Sequence, residues 1–226
     1  EGLLCEYAVL PEEGVVEVPA HLTDEEASTL PCAAVTAWNG LMAAGGLRAG
    51  ETVLVQGTGG VSLFALQLAR LAGARVLVTS SSAEKIARAR ALGAFAAINY
   101  RDTPEWGDEA RKLAGGAGVD HVIEVGGAGT LSQSLRAIRT GGHIALIGIL
   151  AGYGQFNPVP ILMKAVRVSG IFVGSRAMFE EMNRAIAAAG MRPVVDRVFP
   201  FDQAPDALRY LESAAHFGKV VVRVAA

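Results

Sequence analysis

Apolar runs alternate with helical patterns along the chain from about residue 50 to residue 174. The runs are VLVQ at 53–56, VLVTS at 76–80, FAAINY at 95–100, HVIEV at 121–125, HIALIG at 143–148 and VSGIFV at 168–173. Most are apolar throughout, without the alternation of a half-exposed strand, which is the pattern of strands covered on both faces. The segments between them carry helix signals. Ser81 and Glu84 fit a capping box before KIARARALG, with Gly93 placed to end the helix. Thr103 and Pro104 precede EWGDEARKLAG, and Leu131, Leu135 and Ile138 form one stripe before Gly141 and Gly142. Six strands alternating with helices predict an α/β protein with a parallel, doubly wound sheet.

The flanks read differently. CEYAVL and VVEV, within residues 1–19, predict two short strands, and Thr23 with Glu26 forms a second capping box. A helix is expected around 31–44. After Gly174 come an Ala-rich helix at 179–189, a strand near 197–201, a helix at 205–215 and a last strand, KVVVRV. Neither flank has enough apolar surface for a domain of its own, so both are expected to belong to one second lobe.

Bulk properties narrow the function classes. The 226 residues can bury a substantial core, and 20 basic against 22 acidic residues give a net charge of −2. That balance offers no electrostatic case for nucleic acid or an anionic membrane. The long apolar segments are broken by Gln67, Arg70, Arg75 and glycines, so none reads as a membrane span. Without a signal-peptide pattern or a disulfide framework, the expected location is cytoplasmic.

The candidate chemistry lies after the first run. Gly57, Gly59 and Ser62 occupy the three positions of G-x-G-x-x-G, between a strand and a helix. Gly57 permits the tight turn, Gly59 lets backbone approach a pyrophosphate, and small Ser62 allows close packing of helix on strand. The turn amides and the helix dipole favour an anion there. An NAD-specific protein usually ends its second strand with an acid that holds the ribose 2′-OH. Here Thr79, Ser80, Ser81 and Ser82 stand in that place, with Lys85 and Arg88 on the next helix. Hydroxyls and a lysine suit a 2′-phosphate, so NADP(H) is favoured over NAD(H). The same missing acid argues against an S-adenosylmethionine-dependent methyltransferase.

Several stretches together resemble one superfamily. They are LPCAAVTAWNGL, VLVQGTGGVSLFALQLARLAGARV, SSSAEKIARARALGA, INYR, GVDHVIEVGG, GGHIALIG and FGKVVVRV. In family order, they resemble the medium-chain dehydrogenases/reductases, most nearly the quinone oxidoreductase-like and alcohol dehydrogenase-like members. The resemblance implies a Rossmann dinucleotide-binding domain over 29–174. It also implies remnants of a GroES-like catalytic domain at 1–28 and 175–226. With no initiating Met, the chain is expected to lack the N-terminal part of that catalytic domain.

By the same resemblance, Gly57, Thr58, Gly59, Gly60, Val61 and Ser62 lie against the pyrophosphate. Ser80, Ser81 and Lys85 meet the 2′-phosphate, and Tyr100 lies near the adenosine. Gly126 and Ile149 line the nicotinamide side, Phe172 and Val173 present backbone to the carboxamide, and Lys219 reaches back to the cofactor. Thr36 sits beside the nicotinamide ring. Cys32, in Cys32-Ala33-Ala34-Val35-Thr36, resembles a zinc ligand of zinc-dependent members. One thiolate does not make a catalytic zinc site, which takes three protein ligands. By the resemblance the partner ligands, another cysteine and a histidine next to a glutamate, would lie in the missing N-terminal part. The sequence around the glycine turn is more similar to zinc-free relatives, so a small buried, non-ligating cysteine and a zinc-free protein are the favoured reading.

The four histidines read as structural or solvated. The expectation is an oxidoreductase that moves hydride between a nicotinamide and a carbonyl, enone, quinone or alcohol. A zinc-dependent alcohol dehydrogenase and a non-catalytic nucleotide-binding module are the alternatives. A small-molecule substrate and a homodimer joined through the sixth strand are the expected partners.

Overall fold

A computed structural model describes residues 2–224. After a single 3-10 turn at Glu12–Gly14 comes α1 (Asp24–Ala27), which Thr23 and Glu26 open with the expected capping box. A π-helical turn (Leu30–Ala34), α2 (Val35–Trp38) and a second π-helical segment (Asn39–Ala43) then run on without a break.

The alternating region follows as β1 (Thr52–Gln56), α3 (Gly60–Leu71), β2 (Arg75–Ser80), α4 (Ala83–Ala91), β3 (Ala96–Asn99) and α5 (Trp106–Leu113). It continues through β4 (Val119–Glu124), α6 (Ala128–Ala137), β5 (Ile138–Leu146), α7 (Val159–Met163) and β6 (Arg167–Gly170). These six strands form one parallel sheet in the order β3-β2-β1-β4-β5-β6. That is the order of the Rossmann fold. The order reverses between β1 and β4, which places a crevice at their carboxyl ends.

The all-apolar runs have the predicted consequence. Successive side chains of a strand point to opposite faces. Val53, Val55, Val76 and Val78 pack with Leu63, Phe64 and Leu66 of α3 in one buried layer. Leu54, Leu77, Val122 and Ile144 pack with Leu131 and Leu135 of α6 in the other. Every residue of β1 is buried, so the strand that carries the glycine turn is the best anchored in the sheet.

The chain ends with α8 (Arg176–Ala189), β7 (Val195–Pro200), α9 (Ala204–Glu212) and β8 (Lys219–Arg223). β7 and β8 pair in parallel as a separate two-stranded sheet. Gly218, just before β8, donates its N–H to the Thr58 carbonyl at 3.0 Å, which docks this sheet on the glycine turn. Among the described residues no helix is long and apolar enough to cross a membrane.

Several expectations are corrected. Residues 2–19 contain no strand: Leu3, Tyr7 and Val9 are exposed, and no neighbouring strand takes up the backbone groups of CEYAVL or VVEV. A strand exists only where such groups find partners. The helix α6 stops at Ala137, and Ile138, Gly141 and Gly142 lie within β5. The sixth strand stops at Gly170, short of the expected residue 173, where Val173 has a left-handed φ of 56° that no strand accommodates. The cap of α4 is Ser82, whose hydroxyl accepts the Lys85 N–H at 3.3 Å, so Ser81 and Glu84 form no capping box. The helix α5 is entered from Glu105, without a cap from Thr103.

Candidate functional site

The crevice at the sheet's reversal point is a cavity of about 840 Å³. On one side stands the glycine turn. Gly57 has φ +72°, Gly59 caps α3 with no side-chain hydrogen bond, and a Cβ at either position would meet nothing within 4 Å. Backbone is therefore open to a ligand at the start of a 12-residue helix, where free amides and the dipole favour an anion. Gly57, Gly59, Gly60, Val61 and Ser62 all line the cavity. Thr58 is buried, and Ser62 is turned inward, its hydroxyl donating to the Gln56 carbonyl at 2.6 Å. This bond ties α3 to β1 and accounts for the small third residue of the motif.

The opposite wall is the loop after β4. It is shaped from beneath by a buried cluster. Glu124 has no solvent exposure, and its Oε1 accepts the N–H of Gly126 at 2.9 Å and of Gly127 at 3.1 Å, together with the Thr130 hydroxyl. Its Oε2 accepts the Gln56 amide at 2.7 Å and the Ser134 hydroxyl. Gln56 Oε1 in turn accepts the N–H of Val125 at 3.1 Å and of Gly126 at 3.3 Å. A buried carboxylate is tolerable only with such a full set of donors. The cluster binds the residue before the glycine turn to the loop across the crevice. The β5–α7 loop follows, since Leu150 and Ala151 donate their N–H groups to the carbonyls of Val125 and Gly126.

Other expected residues fall into three groups. Gly126 and Tyr100 line the cavity, and Lys219 lies over the glycine turn, its Cδ within 2.6 Å of where a Gly60 Cβ would be. At the end of β2, Ser80 is buried, Ser81 is half-buried, and Lys85 donates its ammonium to the Ala214 carbonyl at 2.6 Å. Ile149 is exposed and packs under Gly127, and Phe172 is 96% exposed. Val173 gives its carbonyl to the Asn39 amide at 2.8 Å. Thr36 is buried with its hydroxyl on the Cys32 carbonyl at 2.6 Å. None of these last four lies among the residues that line the cavity.

The sequence pattern did not single out Gln56, Glu124, Thr130 or His216. His216 lines the cavity, and its Nδ1 is buried with no partner among the described residues. Burial, and then the nearby Lys85 charge, holds its pKa below the usual histidine value, so the ring is neutral near pH 7.

Cys32 is corrected too. The π-helical turn sends Leu30, Ala33 and Ala34 inward and leaves Pro31 and Cys32 exposed. No group of three or more Cys, His, Asp or Glu side chains gathers for a metal among the described residues. The described residues therefore do not by themselves supply a zinc site.

Known proteins share this architecture. The family model for zinc-binding dehydrogenases matches residues 60–188. A zinc-type alcohol dehydrogenase-like protein of Schizosaccharomyces pombe is 49% identical over 99% of this chain and 67% of its own length. A solved NAD-dependent alcohol dehydrogenase superposes with TM-score 0.92 at 37% identity, covering 99% of this chain and 66% of its own. The quinone oxidoreductase of Thermus thermophilus, solved also in complex with NADPH, gives TM-score 0.86 at 34% identity, over 99% and 74%. The chain belongs to the zinc-binding dehydrogenase family of the medium-chain dehydrogenases/reductases. It spans about two thirds of the length of the curated relatives it matches.

Proposed function

We propose that the protein is an NADP(H)-dependent oxidoreductase acting on a carbonyl, enone, quinone or alcohol. The carrying observation is the open glycine turn, which faces the Gly126 loop across a crevice large enough for a dinucleotide. In this reading residues 29–174 hold the cofactor, and 1–28 and 175–226 belong to the catalytic domain. The cofactor supplies the hydride acceptor or donor.

The chain's own residues bind and orient. The amides at the start of α3 take the pyrophosphate, and the absence of an acid at the end of β2 leaves room for a 2′-phosphate beside Ser80, Ser81 and Lys85. To reach it, Lys85 exchanges the Ala214 carbonyl for phosphate. His216, neutral and with a free Nδ1, adds a hydrogen-bonding group to the same cleft. The Gln56–Glu124 cluster keeps the two loops at fixed spacing.

NADPH consumption with quinones, enals and aldehydes tests the reading. Turnover of one class supports it, whereas cofactor binding without turnover by the full-length protein favours a binding module. We also propose that two copies join along β6, the strand at one end of the sheet order; a monodisperse monomer by light scattering contradicts this.

A further inference from the structure

A second cavity, of about 390 Å³, opens at the other end of the strands from the cofactor crevice. It lies where β4 and β5 begin, beside Glu51, which precedes β1. Three guanidiniums (Arg48, Arg139 and Arg167) and two carboxylates (Glu51 and Asp120) line it, with His121 and His143. Both carboxylates are already engaged. Asp120 accepts Arg139 Nε at 2.6 Å and the Thr52 N–H at 2.8 Å. Glu51 Oε2 accepts the Arg48 N–H at 2.8 Å and lies 2.9 Å from His121 Nε2. The Arg48 side chain has no hydrogen-bond or ionic partner among the described residues, and Arg167 makes one hydrogen bond, to the Gly45 carbonyl at 3.2 Å. Cationic donors are thus in surplus.

The imidazoles point the same way. His121 is 4% and His143 1% exposed, and their ring centroids are 5.7 Å apart. Each spends Nε2 on one partner, Glu51 or Ser169, and each leaves a buried Nδ1 with none among the described residues. A buried polar atom without a partner is costly, and here the two residues that carry one both line the same polar cavity.

We propose that this cavity binds a compact oxyanion of the phosphate class, held by the guanidiniums of Arg48 and Arg167 and by Nδ1 of the paired histidines. Planar guanidinium forks match such an oxyanion, and the cavity is far smaller than the dinucleotide crevice. His143 donates from Nδ1 while neutral if its Nε2 accepts the Ser169 hydroxyl. His121, whose Nε2 proton faces the Glu51 carboxylate, needs a second proton from solvent to donate from Nδ1, so the anion and a proton bind together. In the free protein burial, and then the charges of His121 and Arg167, hold His143 at about 4. His143 therefore stays neutral, and an anion between these groups offsets the positive charge gathered around it.

Ring-carbon NMR of the four histidines of the full chain tests this, with inorganic phosphate in one arm and AMP in another. Resonances of His121 and His143 should shift saturably, while His216 reports any binding in the cofactor crevice. Saturation by phosphate assigns a free ion, and tighter saturation by AMP assigns a nucleotide phosphate. Sulfate keeps its charge over the pH range in which histidine titrates, so its affinity should rise about tenfold as pH falls from about 8 to about 5. Arg48→Gln, which removes no side-chain hydrogen bond or ion pair among the described residues, and Arg167→Gln should each weaken binding about tenfold, or 1.4 kcal/mol. The proposal is overturned if neither ligand moves His121 and His143 saturably, or if both variants bind unchanged.

Discussion

The Gln56 side-chain amide lies 2.7 Å from the Glu124 carboxylate, joining two residues 68 positions apart at the floor of the crevice. One ends the strand before the glycine turn and the other ends the strand before the facing loop. Their shared hydrogen bonds hold both loops from below. Glu124→Gln would present an amide NH₂ or a neutral oxygen to N–H groups that now face a carboxylate. We expect a loss of about 2 kcal/mol in urea unfolding, since at least one buried donor goes unmatched. NADPH affinity should fall with it, and a variant of unchanged stability would contradict the assigned role.

The two open glycines separate folding from binding. Gly59 has φ −78° and room for a side chain, so Gly59→Ala should unfold at the same urea concentration as the parent. Its methyl group would occupy the approach to the pyrophosphate, and NADPH affinity should drop about tenfold or more. Gly57, at φ +72°, should instead lose about 1 kcal/mol of stability on substitution by alanine, together with binding.

His143 predicts an acid-sensitive fold. Its pKa is lowered to about 4 from the ordinary 6.5, first by burial and then by the charges of His121 and Arg167. The unfolded chain therefore binds the proton more readily, and stability falls as pH drops from about 6.5 to about 4, levelling below that. The full contribution is about 3 kcal/mol. Unfolding in phosphate-free buffer should show this slope, and His143→Gln should flatten it.

The core gives a check on the sheet itself. Leu54 is fully buried between β1 and the α5–α6 layer. Leu54→Ala should cost about 2–5 kcal/mol, depending on how far the site collapses, as measured by denaturant unfolding.

Much of this architecture was legible in the sequence, for local reasons. The unbroken apolar runs locate all six sheet strands, and the glycine spacing locates the turn, because each signal lies within a few neighbouring residues. What stayed hidden depends on distant partners. Nothing near Gln56 or Glu124 announces their pairing, and a buried Glu in HVIEV reads as an anomaly until Ser134 and Thr130 arrive from α6. CEYAVL has strand composition but finds no strand to pair with. The cap falls on Ser82 rather than Ser81, a choice among three adjacent serines that their composition alone does not decide. His216 reads as a turn residue until Gly218 docks β8 on the glycine turn and brings it into the crevice.

The end of β2 carries the central claim. Lys85 and the serines there should meet a 2′-phosphate, and isothermal titration with NADPH and then NADH measures that directly. NADPH should bind tighter by at least about tenfold, or 1.4 kcal/mol, with Lys85→Ala erasing most of the difference and leaving NADH unchanged. Equal affinity for the two, or binding of neither, would contradict it.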